Sequence, residues 1–169
     1  VKRISLIVLA TAVVLATTTM TTGQQSDKDM AQAMIAKGEV IEIPANSDQA
    51  YVIGRLPARS VIYLQYVGGR WKSWGKLATA SPDDPKAERG NQVRLAIAEV
   101  PPSGGQRVLA VVPPNTRTEP FFYVTNRDLE KVVLRINADG KVLQTNPGSV
   151  KYRIYVQTPT SPPPVVPLV

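Results

Sequence analysis

The hydrophobic pattern of this chain changes period along its length. Ile4 to Ala16 is one apolar run broken only by Ser5 and Thr11. Met30, Ala33, Met34 and Ala36 then suit a short helix over 27–37, with Asp27 as its cap and Gly38 as its stop; the same stretch also reads as a leader that frays. From Glu39 onward the period shortens to that of strands. Gln157 to Val169 holds five prolines and no charge, which predicts an extended tail rather than a paired strand.

Within the strand region each apolar run is closed by turn residues. Val40, Ile41 and Ile43 end at Pro44, and Tyr51-Val52-Ile53 ends at Gly54 and Pro57. Ser60 to Tyr66 is apolar on both faces, as a central strand is. Leu77 to Asn91, with Pro82, Asp83, Asp84 and Pro85, reads as a long polar connection. Val93, Leu95 and Ile97 alternate with Arg94, Ala96 and Ala98, which predicts a half-buried strand. Arg107 to Val112, Phe121 to Val124 and Lys131 to Ile136 follow, each bounded by Pro, Gly or Asn/Asp turns. The cleanest alternation is the last, where Val150, Tyr152, Ile154 and Val156 alternate with Lys151, Arg153 and Tyr155. About seven to nine short strands with such punctuation predict an all-β antiparallel sandwich or barrel.

The first segment reads as an export signal over residues 1–23. Lys2 and Arg3 precede the apolar run, which is shorter than the roughly 18–20 residues of a membrane span, and small residues lead to Thr21-Thr22-Gly23. The expected organisation is therefore a signal at 1–23, a leader at 24–37, a β-sandwich domain at 38–156 and a Pro-rich tail at 157–169. The expected location is periplasmic or extracellular, with membrane contact only through an uncleaved signal.

Composition then removes chemistry. The chain has no cysteine, so it has neither disulfides nor thiolates, and no histidine, so it lacks the Ser-His-Asp and Cys-His nucleophile arrangements and imidazole metal ligands. Nothing among its acidic residues selects a glycosidase pair, and Pro82-Asp83-Asp84-Pro85 is foremost a turn. A non-catalytic chain is the expectation. Its net charge of +7 is spread without a block of like charges, so no nucleic-acid patch is indicated, although an acidic polymer or anionic surface would attract it weakly.

Both tryptophans fall in Gly69-Arg70-Trp71-Lys72-Ser73-Trp74-Gly75, read as a loop after the third strand. Rings on a loop present a surface for a sugar face or a protein partner, and Arg70 supplies donors. At least one of the two rings is expected to plug the end of the sandwich, and the other to be open to a ligand.

Several of these stretches occur in the order of one family. Lys37-Gly38-Glu39-Val40, Arg59-Ser60-Val61-Ile62, Trp71-Lys72-Ser73-Trp74-Gly75 and Arg135-Ile136-Asn137 through Asn146-Pro147-Gly148-Ser149 to Ile154 resemble the galactose-binding, calcium-dependent bacterial lectins of the galactophilic PA-I type. The resemblance implies a jelly-roll-like β-sandwich and a glycan site formed by Arg70, Trp71, Trp74, Asn137 and Asn146. It also implies calcium held by the Trp74 carbonyl and by Asn146. Ala138 stands at the family's aspartate position, with Asp139 one place later as the remaining carboxylate; Val142 and Thr145 replace two further ligands, and the family's sugar-contacting histidine has no counterpart. The expected function is an exported glycan-binding module. The alternative, a structural or protein-interaction module of the envelope or a secreted assembly, rests on the Pro-rich tail, the leader helix and the changed ion ligands.

Overall fold

The computed structural model describes residues 26–72, 79–87, 93–138 and 147–160. The expected signal and the end of the tail lie outside them. A helix α1 (residues 26–35) leads into nine strands: β1 (Glu39–Pro44), β2 (Tyr51–Leu56), β3 (Val61–Lys72), β4 (Thr79–Ala80), β5 (Leu95–Glu99), β6 (Arg107–Val111), β7 (Phe121–Val124), β8 (Leu129–Ile136) and β9 (Gly148–Gln157). All but β4, a two-residue bridge, are strands of four or more residues. Every pairing is antiparallel, in two sheets. In the first sheet β1, β9 and β3 lie side by side, and the far edge of β3 is shared by β7 along Val61–Leu64 and β4 at Trp71–Lys72. The second sheet has the order β2-β8-β5-β6. The chain passes repeatedly between sheets, so the fold is an all-β, jelly-roll-like sandwich.

Alternation decides what lies between the sheets. Ile41, Ile43, Ile62, Leu64, Tyr66, Val150, Tyr152 and Ile154 of the first sheet meet Leu56, Leu95, Ile97, Val132, Leu134 and Ile136 of the second. Burying each large aliphatic side chain contributes about 1.5–3 kcal/mol. Helix α1 lies on the opposite face of the first sheet. Ala31 and Ile35 pack on Tyr63, with Met34, Val61 and Tyr155 around them. Its first turn reaches the β6–β7 loop, where Lys28 pairs with Glu119 at 2.9 Å, and its end feeds β1. The helix thus crosses the strands over one half of the sheet and leaves the other half open.

Three expectations are corrected. The tryptophan segment is not a loop over Gly69–Lys72: β3 continues through it, because β9 pairs with it as far as Trp71 and β4 pairs with Trp71 and Lys72; Ser73-Trp74-Gly75 lie outside the described residues. The β5 strand is not half-buried: all five residues are buried. Ala96 and Ala98 are small, and their cross-strand neighbours Val111, Arg135, Val108 and Val133 overtop them. The long polar connection contains β4, which its composition did not suggest.

The far edge of β3 has a gap between β7 and β4, and the β6–β7 loop fills it. The Arg117 guanidinium donates to the Val67 carbonyl at 3.4 Å and lies 5.1 Å from the centre of the Tyr66 ring, while the Gln65 amide donates to the Arg117 carbonyl at 3.0 Å. Glu99, 4% exposed, lies between Arg107 and Arg127, which donate to it at 2.8 and 3.0 Å. Two guanidiniums are what a carboxylate needs to remain charged away from water.

Candidate functional site

The end of the sandwich at which β3 finishes and β9 begins is built around two glycines. Gly69 (φ 92°) and Gly148 (φ 106°) hold backbone conformations that L side chains rarely adopt. A Cβ on Gly148 would lie 2.5 Å from the Arg70 carbonyl oxygen, and one on Gly69 would lie 2.5 Å from that of Ser149. A register shift between Tyr66 and Gly68 restores inward alternation beyond it, so Tyr66 and Trp71 both face the core. The Tyr66 hydroxyl donates to the Gly69 carbonyl across this irregularity.

Trp71 is consequently fully buried, and its indole N–H donates to the Val93 carbonyl at 3.0 Å. Trp71 is thus the ring that plugs the end of the sandwich, and a ring shut between two sheets offers no face to a ligand. Arg70, one residue earlier, points outward and is exposed. Asn137 is half-buried, and its backbone N–H donates to the Arg94 carbonyl at 2.9 Å. Trp74, Asp139 and Asn146 lie outside the described residues.

What the structure does establish is where the flanks of those segments are. Trp71 pairs with both Gly148 and Ala80, Lys72 pairs with Thr79, Trp71 bonds Val93, and Asn137 bonds the next residue, Arg94. The chain therefore enters and leaves 73–78, 88–92 and 139–146 at one end of the sandwich. Sequence order alone did not show this, because the joining contacts are cross-strand.

Next to this end lies a polar cluster that composition marked only as a turn. One Asp83 carboxylate oxygen accepts the Thr116 backbone N–H, the Thr116 hydroxyl at 2.8 Å and the Arg117 N–H at 3.3 Å. Arg94, 4% exposed, donates to the Pro82 and Asp84 carbonyls. Asp83 and Asp84 thus hold loops, with Asp84 accepting from the Lys86 N–H at 2.8 Å. Tyr152 is buried beside the cluster and stacks edge-on with Tyr66 at 5.5 Å, with the Thr116 side chain as the polar neighbour of its hydroxyl.

Burial, and then the Asp83 carboxylate, hold the Tyr152 phenol far above its ordinary value near 10. A raised phenol favours folding fully below pH 10. Above it the unfolded chain gives up the proton and the folded chain does not, so stability falls as pH rises. Tyr152→Phe should change stability at pH 7 by no more than about 1 kcal/mol, since the buried hydroxyl it removes has the Thr116 side chain as its polar neighbour. It should also remove up to about 1.4 kcal/mol per pH unit from the alkaline slope. Denaturant titrations at pH 7 to 11.5 measure both.

Among the described residues no group of three or more acidic side chains could hold a metal ion. Ala138 is partly buried and packs against the core. A scan against protein-family models finds no match to this sequence, and a search of the curated proteins returns no relative.

Proposed function

We propose that this chain is an exported, non-catalytic binding module that takes a glycan at the β3/β9 end of the sandwich, without a bound ion. The observation carrying this reading is the convergence there of the flanks of 73–78 and 139–146, fixed by the Trp71–Gly148 pairing and the Asn137–Arg94 bond. With Trp71 in the core, Trp74 is the tryptophan left for stacking on a sugar, and Asn137 and Asn146 supply polar selection. Trp74→Ala should reduce binding on a glycan array by at least about tenfold, as loss of an aromatic platform worth 1.4 kcal/mol or more requires. Addition of a calcium chelator should change nothing. An array on which the wild-type protein binds no glycan removes the reading.

A protein-interaction role is favoured by a different observation. Met30, Phe122 and Val124 are 51, 46 and 49% exposed at the α1 side of the first sheet. A cleft of about 760 Å³ lies beside them, between α1 and the Pro113–Phe122 segment. Crosslinking from position 122 in the native compartment separates this role from the first, because it yields a defined adduct only if a protein partner is seated there.

A further inference from the structure

We propose that the outer face of the first sheet beyond α1 is a binding strip for an acidic polysaccharide, which starts at the sandwich end with Arg70 and runs toward α1, and which stands independently of the glycan reading above. The outer face changes character along its strands. Under α1 it is apolar: Val61, Tyr63, Tyr155 and Phe122. Beyond the helix the same outward positions become Gln65 and Arg70 on β3, and Lys151 and Arg153 on β9.

Register makes these a row. Lys151 and Arg153 are two residues apart on one face, hence about 7 Å. Arg70 pairs with Ser149, which is two residues before Lys151, and Gln65 pairs with Arg153. Arg70, Lys151 and Arg153 take part in no ion pair among the described residues. The only carboxylate at the described outward strand positions is Glu42, which stands opposite Lys151 in the β1–β9 register but accepts the Ser149 hydroxyl, so Arg70 and Arg153 have no carboxylate facing them across the strands. Three cations at even spacing with one acid nearby is an arrangement that folding does not need, since like charges on one face repel.

The shape of the strip selects the partner. Helix α1 stands on the adjoining half as a ridge about 10 Å thick, so a flat bilayer resting on it is held off the strip. A single polymer chain can lie along the step. Among the described residues no aromatic ring lies between the cations of the strip, as the stacking platforms for single-stranded nucleic acid would require. A polymer bearing a carboxylate or sulfate on each repeat meets the row with charge alone, and its hydroxyls meet Gln65 and Ser149.

The test measures binding of the full protein to polygalacturonate, neutral galactan, anionic phosphatidylglycerol vesicles and a 20-nucleotide single-stranded DNA, at 50 and 300 mM salt. Polygalacturonate should bind best and weaken at the higher salt. The triple variant Arg70→Gln, Lys151→Gln, Arg153→Gln should weaken it on the order of 10- to 100-fold, at about two- to fivefold per cation, with unchanged melting temperature. The charge control Arg55→Gln with Lys131→Gln, on the second sheet, should change it less than about twofold. Trp74→Ala should leave polygalacturonate binding intact even where neutral-glycan binding is lost. The proposal is overturned if the triple variant binds as the wild type does, if the control weakens binding equally, if vesicles or DNA bind better than polygalacturonate, or if Trp74→Ala abolishes the binding.

Discussion

Trp71→Ala is expected to lower the unfolding free energy by about 3–5 kcal/mol. At this chain length that is a fall in melting temperature of roughly 10–15 °C. The ring is fully buried at the end of the core, so truncation removes its transfer free energy and leaves a cavity that two hydrogen-bonded sheets cannot close. It also leaves the Val93 carbonyl without its indole donor. Trp71→Phe isolates the second effect, at about 1–3 kcal/mol, because much of the volume stays. Thermal unfolding of the two variants checks both values. A wild-type melting temperature in Trp71→Ala would mean that the ring is not shut in the core.

Gly148→Ala is expected to cost about 3 kcal/mol or more, from two sources that act together. The backbone there is at φ 106°, a region in which a side chain adds about 1–3 kcal/mol of strain. The added methyl would also meet the Arg70 carbonyl oxygen at 2.5 Å and the Trp71 Cα at 3.0 Å. Neither is the end of a flexible side chain, so the β3–β9 ladder itself has to open. Gly68→Ala is the internal comparison. It lies in β3, the strand paired with β9, but has no atom within 4 Å of its added methyl and no positive φ; its cost should stay within about 1 kcal/mol. Denaturant unfolding distinguishes the two. Equal effects would show that the glycines matter for strand propensity rather than for close approach.

The strands were legible because alternation and turn residues are local signals. The runs at Val40–Pro44, Tyr51–Ile53, Phe121–Val124 and Val150–Val156 all lie within strands of the sandwich. Burial was less legible where it depends on a neighbour. Ala96 and Ala98 look solvent-tolerant by type, yet Val108, Val111, Val133 and Arg135 cover them. The stretch opening at Gly69 reads as a loop bounded by glycines, whereas here Gly69 follows an irregularity inside a strand held by β9. That single difference moved Trp71 from a loop to the core. The sandwich-end site was legible only as separate segments, and the cationic strip beside it only in part, for the same reason. Arg70 could be picked out beside the tryptophans, but its companions Lys151 and Arg153 are about eighty residues away, and only the β3–β9 register places them beside it.

The filled gap along β3 bears on how the molecule behaves in company. A twelve-residue strand whose far edge is covered only at its two ends would offer the backbone in between as a template for a strand of another copy. Arg117 and Gln65 occupy that stretch with side-chain bonds that continue no ladder, and Arg117 places a charge over it. The β6–β7 loop thereby closes this stretch of β3 to a strand of another copy.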